Sequence, residues 1–386
     1  MNPLIKWAGG KSGEIKYMTP IIPHTYDRYI EPFFGGGALF FYLEPKKAVI
    51  NDITKELVMF YSFLKDGKGR DDFKKELDAY VKYWYRIDEY MKHFGDSFLV
   101  LYNKYKNNKL TDGEFEEENK NLFANKIVPF NGLFAESFCI SQKSLMSHTE
   151  KNVVAKLKRI KYTIDTKNKF TNEMLMTNIE TAFRSGFYIH FRDIGNKAKR
   201  GELKISDAKK TANYYFVREF CYGSMFRFNK NGDFNIPYGG IGYNQKDFKK
   251  KVDVLFSENV KKLFENTIVE NIDFEAVLNK HKPTSKDFIF FDPPYDTEFS
   301  EYEENPFTKQ DQERLAKCIY NLKANFILII KETPFILNLY KNDKFQKKGI
   351  KISSFGKTYL YNMRGRNERD VRHLMIHNLK DQKTLV

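Results

Sequence analysis

The sequence predicts an α/β fold: an open sheet flanked by helices and interrupted by a long, mainly helical segment. Three observations predict it. Short runs rich in β-branched and aromatic residues recur at 29–34, 48–52, 267–270, 288–291 and 326–330, the length and character of buried strands. The first of these runs enters Gly35-Gly36-Gly37 and then a helix-like stretch, the strand–loop–helix geometry of a nucleotide-type cofactor site. From about residue 61 to about residue 212 glycine becomes sparse and charged residues dominate, with helix-like runs at 73–85 and 114–123.

Composition narrows the function. Lys and Arg exceed Asp and Glu by 65 to 50, a net charge of +15, which favours a polyanionic partner and nucleic acid before membrane. No apolar stretch approaches a membrane span, and no leader-like segment is expected, which suggests a cytoplasmic, nucleoid-associated protein. Cys139, Cys221 and Cys318 are too scattered for a zinc or disulfide framework and read as reduced thiols.

In chain order, Lys6-Trp7-Ala8-Gly9-Gly10-Lys11 comes first, two lysines flanking a glycine pair beside a flat apolar wall. Its spacing is not that of a phosphate loop. Next, Glu31-Pro32-Phe33-Phe34 leads into the glycine triplet. Here an acidic residue stands before the loop, which suits a cofactor carrying an ammonium rather than a pyrophosphate. The second strand ends at Asn51-Asp52, where a carboxylate can bind two ribose hydroxyls or cap the following helix.

The middle segment carries Asn131-Gly132, read as a turn, and two basic clusters: Lys156, Lys158, Arg159, Lys161 and Lys197, Lys199, Arg200, Lys204. Either cluster can be a solvated helix face or a phosphate-contact surface. At 222–239, two aromatic arms flank Asn231-Gly232, a short-range hairpin signal. Arg227 on one arm can bind guanine O6 and N7 in bidentate fashion, and Pro237 stands on the other. Met225 can be an apolar wedge or a core residue.

The last third returns to alternation. Asp273-Phe274, after the third strand, can bracket an adenine by hydrogen bond and stacking. The fourth strand ends in Asp292-Pro293-Pro294-Tyr295, whose prolines forbid a helix or a ladder bond. An acceptor pair beside an aromatic plate suits a planar base with an exocyclic amino group. Thr308 and Asp311 read as the capping box of a helix. Residues 357–377 read as an antiparallel strand pair with Arg364, Arg366, Arg369 and Arg372 in or after its turn. His373 and His377 have helical metal spacing but lie in a strand-like run, so no metal is expected.

Together these motifs resemble the Dam-like N6-adenine DNA methyltransferases, with cofactor loop first, recognition region next and DPPY last. The likeness covers about half of the chain: both ends and residues 213–243. It implies a Rossmann-like class I methyltransferase mixed sheet (α/β) with an inserted, mainly helical target-recognition domain. The expected divisions are 1–60, 61–243 and 244–386. The implied reaction moves a methyl group from S-adenosylmethionine to adenine N6 in double-stranded DNA, after the base has flipped out. By motif match, Trp7, Lys11, Glu31, Phe33, Gly35, Gly37, Asp52, Asp273, Phe274 and Asp292 would bind the cofactor. Asp292, Pro293, Pro294 and Tyr295 would hold the base. Lys6, Met225, Arg227, Asn231 and Pro237 would contact DNA. A cognate restriction endonuclease is a candidate partner, and a GATC-like site the first candidate sequence. The middle segment is much longer than in compact members, and Gly223 stands where the family hairpin carries Asn. RNA methylation, a silent nucleic-acid-binding protein and cytosine N4 methylation are the alternatives.

Overall fold

The computed structural model describes residues 1–65, 67–164, 171–224, 226–240, 242, 247–295, 307–358 and 370–379. These divide into two compact units. One holds residues 1–70, 226–232 and 254–386, and the other holds 71–225 and 233–253.

The first unit is built on seven strands: β1 (Tyr29–Glu31), β2 (Ala48–Asn51), β3 (Thr267–Glu270), β4 (Phe288–Phe291), β5 (Asn325–Lys331), β6 (Lys351–Thr358) and β7 (Asp370–His377). Their spatial order is β3-β2-β1-β4-β5-β7-β6. The first five are parallel, whereas β7 runs antiparallel to both β5 and β6. Every residue of β1, β2 and β4 is buried, including Glu31 and Asn51 at the ends of β1 and β2, as in strands covered on both faces.

Ile30, Ile289, Phe291, Leu328 and Ile376 of the sheet pack with Val277, Leu315, Ile319 and Ile336 from flanking helices. Arg28 ties the starts of β1 and β4 together, giving Nε and Nη2 hydrogen bonds of 3.0 and 2.7 Å to the Asp287 carboxylate. The chain winds one way from β1 through β2 to β3, and the other way through β4 and β5. Ligands of open sheets bind where the order reverses, outside the carboxyl ends of the strands. That crevice lies between the ends of β1 and β4, where Glu31 and Asp292 stand.

The predicted terminal strand pair forms, but its first strand begins upstream, at Lys351. The polar sequence Lys351-Ile352-Ser353-Ser354 gives little apolar alternation, as befits a sheet edge. His373 and His377 are both on β7, about 13 Å apart along the strand and thus unable to share a metal. Arg364, Arg366 and Arg369 lie outside the described residues.

The second unit is helical, built mainly from Lys68–Lys106, Asp112–Leu133, Gln142–Arg159, Asn172–Lys199 and Asp207–Phe220; the first of these begins in the first unit. Tyr80, Trp84, Phe187, Phe191 and Phe216 form its aromatic core. The expected turn at Asn131-Gly132 is absent. Both residues lie in the last turn of the Asp112–Leu133 helix. The final carbonyls there have no intrahelical partner in any case, so glycine's weak propensity costs least. The basic clusters are partly neutralised. Lys158 pairs with Asp112 and Glu116, Lys197 with Asp193, and Arg200 with Glu202 and Asp233. No helix among the described residues is long and apolar enough to cross a membrane.

Candidate active site

Three strand ends are pinned by one amide. The Asn51 side chain donates to the Pro32 and Ile272 carbonyls at 2.9 and 3.0 Å and accepts from Ile272 N–H at 3.0 Å. The loops after β1, β2 and β3 are thereby fixed together. Sequence reasoning placed Asn51 only at a strand end; a buried amide at that position is the signal that could have suggested this role.

After β1, Phe34 N–H bonds the Asn51 carbonyl and Gly37 N–H bonds the Phe34 carbonyl, at 2.9 and 2.7 Å. Gly35 and Gly37 have φ of +49° and +64°, a region L side chains rarely enter. A Cβ at Gly35 would stand 2.8 Å from the Trp7 indole, and one at Gly37 would overlap the buried Phe34 ring. Trp7 and Phe34 pack directly against these two glycines, so the loop holds its course only without side chains there. The Asp52 carboxylate accepts from Gly35 N–H and Thr54 N–H, both at 2.9 Å. It ties the loop to β2, and Thr54 rather than Asp52 is the N-cap residue of the next helix.

Glu31 is buried and accepts a 2.7 Å bond from the Tyr29 hydroxyl. Burial pushes its carboxyl well above the ordinary range; the Tyr29 bond opposes this, and the charges of Asp292 and Asp52 add to it. Asp52 and Asp292 are likewise pushed up by burial. Three carboxyls thus share one crevice and would gain from a cation among them.

At the end of β3, Asp273 caps the Phe274–His281 helix through Glu275 N–H at 2.9 Å. Phe33, Phe274 and Phe307 meet with ring centroids 5.3 to 5.7 Å apart, an aromatic corner beside that cap. Arg314, which the sequence reading missed, donates to Asp273 at 2.9 Å, to Glu275 at 3.0 Å and to Asp311 at 2.9 Å. Its guanidinium lies 4.8 Å over the Phe274 ring.

At the end of β4, Lys11 Nζ meets Asp292 Oδ1 at 2.6 Å and donates to the Gly9 carbonyl at 2.9 Å. The ammonium opposes the upward push of burial on Asp292. It also stands 5.1 Å from the Tyr295 ring centroid. Gln312 donates to the Pro294 carbonyl at 2.8 Å, fixing the double-proline turn. Lys11, assigned to the cofactor from its motif, is thus bound to the DPPY carboxylate.

The residues expected at DNA are grouped in part. Lys6 and Trp7 are half-buried, and the Trp7 ring meets Phe226 edge-on at 4.5 Å, next to exposed Arg227. The turn closes one residue earlier than Asn231-Gly232 suggested. Gly232 N–H bonds the Asn229 carbonyl at 2.9 Å, with Lys230 and Asn231 at its centre and Gly232 at φ +76°. The Asn229 side chain accepts from Asn231 N–H at 2.9 Å, an Asx turn that sets this register. Pro237 belongs to the helical unit, where it is exposed and its carbonyl accepts from Tyr222 N–H at 2.9 Å. Met225 lies outside the described residues. Among those residues no group of three or more His, Cys, Asp or Glu could hold a metal ion.

The strand order, the glycine loop and the acids at the tips of β1, β2 and β4 define a class I methyltransferase. Comparison with known proteins gives the same class. The family model described as "D12 class N6 adenine-specific DNA methyltransferase" matches in two overlapping stretches, residues 7–183 and 153–353. The chain belongs to this family and is an adenine-specific DNA methyltransferase. It is 26% identical to the Type II methyltransferase M.MjaIII of Methanocaldococcus jannaschii, over 98% of this chain and 99% of that protein. It is 23% identical to the Type II methyltransferase M.CviBI of Paramecium bursaria Chlorella virus NC1A, over 98% and 100%. A shorter match, 30% identical over 42% of this chain and 54% of the relative, is to the retron Ec67 DNA adenine methylase of Escherichia coli.

Proposed function

We propose that this enzyme moves the methyl group of S-adenosylmethionine to N6 of an adenine flipped out of duplex DNA at a short specific sequence. It would serve as the modification half of a type II restriction–modification system, paired with a cognate endonuclease. The observation that supports this reading is the approach of Lys11 to both Asp292 and Tyr295, one strand away from the glycine loop.

The residues fit the cofactor. Three carboxyls with raised proton affinity beside the glycine loop suit a cationic ligand. Glu31 would take the ammonium, Asp52 the ribose hydroxyls, and Asp273 with Phe33 and Phe274 the adenine, with Trp7 walling the loop. When bound, S-adenosylmethionine supplies an electrophilic methyl on its sulfonium. Flipping the base costs a few kcal/mol, of which stacking on Tyr295 returns about 1–3 kcal/mol. Lys11 opposes the push of burial on Asp292 and favours its ionised form, in which the carboxylate accepts an N6–H bond. That bond, with one to the Pro293 carbonyl, frees the N6 lone pair from the ring and aims it at the methyl. After transfer the extra N6 proton leaves through Asp292 to water. Positioning and fixed charge supply the rate enhancement.

Tritium transfer to duplex DNA, to RNA and to substituted duplexes, with a GATC duplex first, tests the assignment. N6-methyladenine in DNA alone is expected; label in RNA or in cytosine would overturn it. Exposed Arg227, with Lys6, Asn231, Pro237 and Met225, would read the site. Arg227→Ala is then expected to lose about 1–3 kcal/mol of discrimination at one base pair while non-specific binding holds. Equal preference profiles for variant and wild type would remove Arg227 from readout.

Cofactor binding should also release protons. Burial raises the proton affinity of Glu31 and Asp52 in the cofactor-free enzyme, and a bound cation favours their ionised forms. Affinity therefore rises with pH through that range. Calorimetry in two buffers of different ionisation enthalpy measures this; an identical apparent enthalpy in both would contradict it.

A further inference from the structure

Behind the DPPY aromatic lies a buried polar cluster that no step above uses. His373, on β7, packs edge-on against Tyr295 with centroids 5.2 Å apart and a 69° angle between the planes. Its Nδ1 meets Glu14 Oε2 at 3.0 Å. The other Glu14 oxygen takes Lys357 Nζ at 2.7 Å. Glu14 and His373 are both almost wholly buried. Phe355 flanks His373 from β6 at 5.9 Å and stacks on Tyr17 at 4.3 Å. Glu14 N–H bonds the Lys11 carbonyl at 2.8 Å, so a single turn delivers Lys11 to Asp292 and Glu14 to His373.

We propose that Glu14 and His373 are positioning residues that set the plane of the Tyr295 ring, and through it the tilt of the target adenine. This rests on Tyr295 being the plate for the flipped base. A buried carboxylate is costly, and apolar side chains of equal volume would fill this space at less cost. What a polar pair adds is direction. The carboxylate accepts an N–H from Nδ1, which fixes the imidazole plane and leaves its edge against Tyr295. Burial pushes Glu14 up, but hydrogen bonds from His373 and Lys357, with the charge of Lys11, outweigh it and hold the carboxyl below its ordinary value. The acceptor thus stays ionised. A stacked base follows its plate, and displacements of about 1 Å at a reacting nitrogen cost up to about 100-fold in rate.

The test uses the full chain, S-adenosylmethionine and unmethylated DNA in which sequencing has located the modified site. Glu14→Ala and His373→Ala are expected to lower kcat about tenfold or more. KM for DNA and the cofactor dissociation constant should stay within about threefold. Glu14→Gln, which can still accept the His373 N–H, is expected to keep kcat within about threefold of wild type. Wild-type kcat in both alanine variants, or a Glu14→Gln variant as slow as Glu14→Ala, would overturn the proposal. Should an alanine variant fail to bind cofactor, His373→Phe, a ring without the N–H, is judged by the same criteria. Asp292→Ala is assayed alongside. Activity in that variant would sink the base pocket itself, whereas its inactivity beside unimpaired His373 variants would sink only the positioning role.

Discussion

Asp292→Ala is expected to bind the methyl donor nearly as wild type does and to methylate DNA about 1,000-fold more slowly or not at all. The carboxylate is the charged acceptor at the end of β4, and the fixed prolines offer no substitute. The substitution also strands Lys11, only 3% exposed, 2.6 Å from where its counter-charge stood. Removing one partner of a fully buried pair costs about 3–5 kcal/mol. Here Asp292 keeps 21% exposure, so water reaches the pair and the cost falls below that range. A second change separates the two losses. Lys11→Met in the Asp292→Ala background should recover thermal stability and no activity. Tritium transfer with melting curves on the three variants gives the answer, and turnover near wild type in either Asp292 variant would reject the assigned role.

Gly37→Ala is the second large effect, because two penalties fall on one atom. The residue sits at φ +64°, where an L side chain costs about 1–2 kcal/mol. Its Cβ would also overlap the Phe34 ring, which is 3% exposed and wedged edge-on against Phe40 and Tyr61 at 5.3 and 4.7 Å. The ring cannot retreat without disturbing the core under the loop, so the loop itself must move. Cofactor affinity should fall at least about tenfold and the melting temperature should drop. Calorimetric titration and a thermal melt check both, and an alanine variant indistinguishable from wild type would show that the loop has slack. Gly36→Ala is the control. Its Cβ would lie 3.0 Å from Trp7 Cβ without a positive φ, so its loss should be smaller.

The sheet was readable because its signals are local. Phe288-Ile289-Phe290-Phe291 is uninterrupted and ends in two prolines, and the Thr308–Asp311 capping box is complete within four residues. The mixed order of the sheet was expected only through the family resemblance. The pairing of distant polar groups was not. Glu14 and His373 are 359 residues apart, and nothing in the spacing of either marks the other. Lys11 reads as a loop lysine until β4 is set beside β1. The register of the 229–232 turn depended on a side-chain bond from Asn229, which competes with the stronger Asn-Gly signal one residue on. Asn131-Gly132 shows the same limit, since a helix end can absorb a dipeptide that elsewhere makes a turn.

The chain owns two indoles, one in each unit. Trp84 is sealed among Phe187, Phe216 and Phe220, with a guanidinium over its face. Trp7 alone borders both the glycine loop and the tip that bears Arg227. Replacing Trp84 by Phe would leave a chain whose ultraviolet emission comes from that one junction. Loading of the donor and arrival of the duplex could then be timed separately by stopped-flow fluorescence, without an added dye.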